Sequence, residues 1–166
     1  MKYKEDISQI IDVETGQVKV GRENAVLRSN AIGSCIAITA YDSVKKVGAI
    51  AHIMLPGRSP KEDSPNKTRY AADAIDVMID QMACLGVSKN DLEVCLVGGG
   101  NVLQRSDDTV CEANIESVIN ILEEKGIRIR AKVLGGILRR SVSLDLEKGC
   151  VFYTEGNEEE KLLQYE

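Results

Sequence analysis

Two apolar, β-favouring runs, Ile36–Tyr41 and Val47–Leu55, flank the polar stretch Asp42-Ser43-Val44-Lys45-Lys46. Runs of this length with a short polar connection read as a β-hairpin. A cysteine, Cys35, follows Gly33-Ser34 at the outer end of the first run, and the only histidine of the chain, His52, sits on the second. A four-residue loop over residues 42 to 45 sets Tyr41 opposite Lys46, and Cys35 then falls opposite His52. Directly opposed residues of an antiparallel pair have Cβ atoms roughly 4.5–5.5 Å apart, a separation at which a thiol and an imidazole exchange a proton. A slip of one residue turns one of the two to the other face.

Composition sets the outer limits. The 166 residues suit one domain over residues 1–166, with 43% apolar residues to build a core without metal or disulfide support. With no Trp and one Phe there is little to stack on bases, and the net charge of −5 argues against nucleic acid or an anionic membrane as partner. No apolar run approaches the ~20 residues that span a bilayer, so membrane insertion is not expected. Five cysteines, at 35, 84, 95, 111 and 150, form no CxxC, and with a single histidine they offer no zinc-ligand spacing. An odd cysteine count with no signal peptide ahead of it points to reduced thiols in the cytoplasm.

In chain order, Ile7–Val13 reads as an edge strand, and Gln17–Val20 and Asn24–Ser29 as two more short runs. Pro56 to Lys67 holds all three prolines and is a loop, either a lid or docking surface beside the cysteine or a passive connection. Tyr70–Leu85 has apolar residues at helical spacing with Asp73, Asp76 and Asp80 opposite, and Gly86 as its stop. Cys84, near its end, reads as a small buried residue. Leu92–Val97 is a buried strand that ends in Gly98-Gly99-Gly100-Asn101. Neither GxGxxG nor GxxxxGK[ST] is present there, which disfavours a nucleotide loop. A second helix spans Cys111 to Lys125, followed by a strand at Ile127–Val133 and a terminal hairpin of Val142–Leu146 and Cys150–Thr154. Residues 156–166, rich in glutamate, read as a solvated acidic tail. Without regular βαβ alternation, the order predicts a mixed α/β (α+β) domain, strands central and about two main helices outside.

A thiol attacks as thiolate, and a neighbouring imidazole takes its proton and later returns one to the leaving group. A third polar group usually orients the imidazole. Ser29, six residues before Cys35, is the first candidate, with Asp42 and Asp63 weaker. Backbone N–H groups of Gly33 and Ser34, up to Cys35, are placed to form an oxyanion hole. Such a set suits acyl transfer from an amide, ester or thioester and names no substrate. The bland reading stays beside it: a tight turn at Gly33, and a satisfied core histidine.

The motifs GSCIAITAYD and GAIAHIMLPG, with TRYAADAI, VGGGNVL, Asn114 and GGILRRSVSLDLEKGCV in order behind them, resemble the CheD family of chemoreceptor glutamine deamidases. The resemblance implies that Cys35 is nucleophile, His52 general base, and Ser29 the counterpart of a family threonine. Serine keeps the hydroxyl and loses the methyl that restricts its rotamer. It also marks Gly98, Gly99, Gly100 and Asn114 as a substrate or partner region. Cys111 and Ala113 depart from the glycine and arginine usual before the asparagine. The implied fold resembles the mixed α/β sandwich of glutamine-deamidating toxin catalytic domains. The implied reaction converts receptor glutamine to glutamate with loss of ammonia, needing no metal or other cofactor. Implied partners are the cytoplasmic helices of methyl-accepting chemoreceptors and the CheC phosphatase. A catalytically weak module that regulates the phosphatase is the rival expectation, and a thiol redox role is disfavoured by the missing CxxC.

Overall fold

The computed structural model describes residues 9–165 and arranges them in three layers. Ten strands in two five-stranded sheets and two α-helices make up these layers. The first sheet has the order β1 (Gln9–Asp12), β3 (Ala25–Ile32), β8 (Arg140–Asp145), β9 (Cys150–Glu155), β10 (Lys161–Leu162). The second has the order β2 (Val18–Gly21), β5 (Val47–Ile53), β4 (Ile36–Asp42), β6 (Glu93–Gly98), β7 (Ile129–Leu134). Helices α1 (Ala71–Cys84) and α2 (Val110–Glu124) cover the outer face of the second sheet. The β1–β3 and β6–β7 pairs are parallel and the others antiparallel. The fold is thus the mixed α+β arrangement expected, with helices on one side only.

The second sheet is the middle layer, and its two central strands show why they read as unbroken apolar runs. Every residue of β4 and of β5 is buried. Ile36, Ile38 and Ala40, with Ala49, Ala51 and Ile53, face the helices and pack with Ile75, Met78 and Leu122. Ala37, Tyr41 and Ile50 point the other way, onto Leu27, Val142 and Leu144 of the first sheet. A strand covered on both faces has no polar side to alternate with.

Register differs from expectation by two residues. Asp42 pairs with Val47 and Ala37 with His52, so the loop is Ser43–Lys46 and Cys35 is not directly opposite His52. The cause lies in Asp42, whose Oδ1 accepts from the N–H groups of Val44 at 2.9 Å and Lys45 at 3.1 Å. This Asx-type turn keeps Asp42 at the end of the strand, and Lys46, at φ +54°, closes the turn in left-handed conformation. Because side chains alternate with period two, a shift of two leaves each residue on its expected face.

Other expectations were met or changed locally. The edge strand at Ile7–Val13 is present as β1 at the edge of the first sheet, with Ile7 and Ser8 outside the described residues. The C-terminal stretch is not a solvated tail. Lys161–Leu162 pairs with β9, the Leu163 N–H donates to the Val151 carbonyl at 2.8 Å, and the Leu163 side chain is buried between the sheets. An acidic composition hid this leucine. Cys84 is exposed rather than buried, because it falls on the solvent side of the last turn of α1. The Pro56–Lys67 loop is tied down by Asp73, which accepts from Ser59 N–H at 2.7 Å, and by Ser117, which accepts from Gly57 N–H at 2.9 Å.

Gly98, the last residue of β6, lies against the chain that carries Cys35. A Cβ there would overlap the Cys35 carbonyl oxygen and come within 2.7 Å of Ile32 Cγ2, and its φ is +131°. Gly126, at φ +70°, has open space around its Cβ direction. In urea denaturation, Gly98→Ala is expected to cost about 3 kcal/mol or more, through overlap and backbone strain together. Gly126→Ala, with conformational strain alone, is expected to cost about 1–2 kcal/mol.

Candidate active site

Strand β3 brings Ser29 to the site. Its residues Ala25, Leu27 and Ser29 alternate inward, toward the middle sheet, and Ser29 is only 1% exposed. The β3–β8 register then breaks between Ser29 and Ile32, where Ala31 has φ +55°. That bulge turns the chain across the end of the two sheets, so that Gly33, Ser34 and Cys35 cross over into β4. From the opposite layer His52, also 1% exposed, projects toward the first sheet like Ile50 two residues before it.

Ser29 Oγ lies 2.7 Å from His52 Nδ1 and 2.7 Å from the Val13 carbonyl oxygen. A serine hydroxyl has one proton to give, and a carbonyl oxygen can only accept. The proton therefore goes to Val13, and Ser29 Oγ accepts from His52 Nδ1–H. This assigns the tautomer: Nε2 carries the free lone pair and is the basic atom. Nε2 is buried and has no hydrogen-bond partner among the described residues. The Val13 carbonyl was not foreseen, and no sequence signal marks it.

Cys35 is half-buried and packs at the edge of the inter-sheet cluster that holds Ala37 and Ile50. Extending the β4–β5 register by one pair sets Cys35 against Met54, which puts His52 on the diagonal, on the same face. The two side chains are not hydrogen-bonded. Burial pushes the Cys35 thiol above its ordinary value of 9.0, opposed by its own backbone N–H. Burial also pushes His52 below 6.5, offset in part by the Val13 carbonyl and the charge of Glu14. Both shifts disfavour a thiolate–imidazolium pair, so at neutral pH the resting site holds a thiol and a neutral imidazole.

The Cys35 loop is held from beneath. The Gly100 N–H donates to the Gly33 carbonyl at 2.9 Å and the Gly99 N–H to the Cys35 carbonyl at 2.8 Å. Gly98, Gly99 and Gly100 are themselves buried, so they meet the nucleophile loop rather than the surface. Asn114, on α2 and 0% exposed, donates from Nδ2 to the Ser34 carbonyl at 3.0 Å and the Met54 carbonyl at 3.1 Å. It joins the segment before Cys35 to the segment after His52. Among the described residues nothing accepts from the N–H groups of Gly33, Ser34 or Cys35. Asp42 is spent on its own turn, five pairs along the hairpin from His52, and Asp63 is exposed in the loop. Neither orients the imidazole. No cluster of three metal-ligating side chains forms among the described residues.

Residues 54–155 match the family model described as CheD chemotactic sensory transduction. The chain is 37% identical over 149 residues to the probable chemoreceptor glutamine deamidase CheD of Chlorobium luteolum, covering 90% of this chain and 74% of that protein. The chain belongs to the CheD family. CheD relatives also include the probable deamidase of Methanococcus maripaludis, 36% identical over 90% of this chain and 97% of the relative. The chemoreceptor glutamine deamidase CheD of Thermotoga maritima is 33% identical over 81% of this chain and 84% of the relative. Among solved structures, a hypothetical protein of Bacillus licheniformis overlays at TM-score 0.42 and 13% identity, over 81% of this chain and 61% of that one, too loosely to carry an argument. The family-model match begins two residues after His52 and so does not include Ser29, Cys35 or His52.

With one histidine in the chain, its imidazole is directly readable by NMR. The ring is expected to titrate with a midpoint below 6.5, and its nitrogen shifts to report a protonated Nδ1 and a free Nε2. In the unfolded chain the imidazole takes up its proton at higher pH than in the folded one. The stability carried by neutral His52 is therefore complete above about pH 6.5 and is lost as the pH falls through the folded value. A titration midpoint above 6.5 contradicts this account of the site.

Proposed function

We propose that this protein is a cysteine-dependent glutamine deamidase acting on chemoreceptors, and that Cys35, His52 and Ser29 carry the reaction. The observation that carries this reading is the Ser29–His52 hydrogen bond, which leaves a free, buried Nε2 on the face that bears Cys35. The substrate class comes from the named CheD relatives.

The thiol proton passes from Cys35 Sγ to His52 Nε2 as the sulfur attacks the carboxamide carbon of a glutamine side chain. Negative charge develops on the carboxamide oxygen, where the free N–H groups of Ser34 and Cys35 receive it. His52 Nε2–H then gives its proton to the departing nitrogen, which leaves as ammonia, and a thioester remains. The emptied Nε2 next takes a proton from water. The hydroxide adds to the thioester, and the sulfur leaves to recover its proton from His52. The net change is glutamine plus water to glutamate plus ammonia. Because the resting pair is neutral, proton transfer accompanies attack rather than preceding it.

Ser29 fits the place that a threonine holds in the family resemblance, since only the hydroxyl enters the relay. Met54, 40% exposed beside the Cys35 loop, offers apolar contact to a protein substrate. The chain acts, in this reading, as a single domain in the cytoplasm. CheC is its regulatory partner, as the family resemblance implies. Among the described residues no helix is long and apolar enough to cross a membrane.

The test is direct. Incubation with a chemoreceptor cytoplasmic fragment should convert glutamine to glutamate, a mass gain of about 1 Da by peptide mass spectrometry. Cys35→Ala and His52→Ala should abolish it. Ser29→Ala should lower the rate by about 10- to 100-fold by freeing the ring and its tautomer, whereas Ser29→Thr should retain activity. If wild type and variants are equally inert on several receptors, the deamidase reading fails.

A further inference from the structure

Three successive carbonyls, those of Gly33, Ser34 and Cys35, are tied inward at the mouth of the site. Gly100 N–H holds the first and Gly99 N–H the third, backbone to backbone. Only the middle one is held by a side chain, that of Asn114. The Ser34 carbonyl shares a peptide plane with the Cys35 N–H. In a trans peptide the two point in opposite directions. Drawing the carbonyl toward α2 therefore aims the Cys35 N–H away from α2. The thiol sits on that side, since Cys35 packs with Ala37 and Ile50 between the sheets, on the face of the second sheet away from the helices.

The partners of the Asn114 amide fix its orientation. Both of its partners are carbonyl oxygens, so the NH₂ must face them, and Oδ1 is left buried without a hydrogen-bond partner among the described residues. Leaving a buried acceptor unpaired is costly, and a helix that needed only packing at this position would do better with an apolar residue. The second Nδ2 bond, to Met54, fixes the amide against the strand that ends just after His52. One side chain thus references the Cys35 peptide to the His52 strand.

We propose that Asn114 is the positioning residue of the oxyanion hole, setting the Ser34–Cys35 peptide plane so that the Cys35 N–H meets the developing oxyanion. The proposal rests on the reading of Cys35 as the nucleophile. It separates two properties of the site. Attack of Cys35 on iodoacetamide displaces iodide at a saturated carbon and forms no oxyanion, so it needs the thiol and His52 but not the hole. Deamidation needs all three.

Asn114→Ala removes the middle tie, and Asn114→Ser keeps one hydroxyl donor with less disturbance of the helix. Both are compared with wild type by deamidation of a receptor fragment and by iodoacetamide labelling of Cys35, read by mass spectrometry across pH. Asn114→Ala is expected to lower kcat by about 10- to 100-fold, with KM and the labelling rate and its pH profile within twofold of wild type. Asn114→Ser is expected to fall between the two and supplies the comparison if the alanine variant does not fold. Unchanged kcat in the folded variants overturns the proposal. So does a fall in labelling equal to the fall in deamidation, because Asn114 would then support the loop as a whole. An inert wild type that still labels at Cys35 overturns the deamidase reading itself, and this proposal with it.

Discussion

A middle sheet covered on both faces governs this molecule. Strands β4 and β5 have no solvent side, so a polar side chain in their interior must find its partner within the protein, as Asp42 does in its own turn at the strand end. His52 satisfies this rule on one nitrogen and breaks it on the other. Its Nδ1 reaches across to Ser29 of the opposite sheet, and its Nε2 has no partner among the described residues. The same burial lowers the proton affinity of the ring and raises that of the Cys35 thiol. Packing, rather than a nearby charge, therefore sets the chemistry of the pair.

The second constraint acts on backbone. The stretch from Gly33 to Cys35 leaves the first sheet through a bulge and enters the second, and it makes no strand pairing of its own. A segment of this kind would wander without outside support. Gly98 lies against the Cys35 carbonyl only because it lacks a Cβ, and the N–H groups of Gly99 and Gly100 then reach the carbonyls of Cys35 and Gly33. The glycine run thus belongs to the cysteine loop, although about sixty residues separate them in sequence.

Much of this is legible in the sequence, and what is not has physical causes. The two apolar runs gave the hairpin and both members of the Cys35–His52 pair, because burial on two faces writes itself as continuous hydrophobicity. The exact pairing is not legible because Asp42 reads as a loop residue, whereas its carboxylate caps the turn and keeps it in the strand. The parity of side-chain alternation rescued the shared face. Ser29 was nominated by its place in the chain, but its link to Val13, which fixes the tautomer, depends on two strands of one sheet meeting in parallel, and nothing local encodes that. The division of the strands into two sheets is likewise a long-range outcome. Leu163 shows the opposite error, one apolar residue outvoted by the charges around it.

The neutral resting state of the Cys35–His52 pair also bears on how such a site survives. Cys35 is only partly buried, so solutes come close to its sulfur. Oxidants and electrophiles attack the thiolate far faster than the thiol. A sulfur whose burial favours the protonated form therefore presents less of the reactive species to peroxide. Partial exposure and resistance to oxidation, usually in conflict for a cysteine, are drawn together here by the burial that favours the proton on the sulfur.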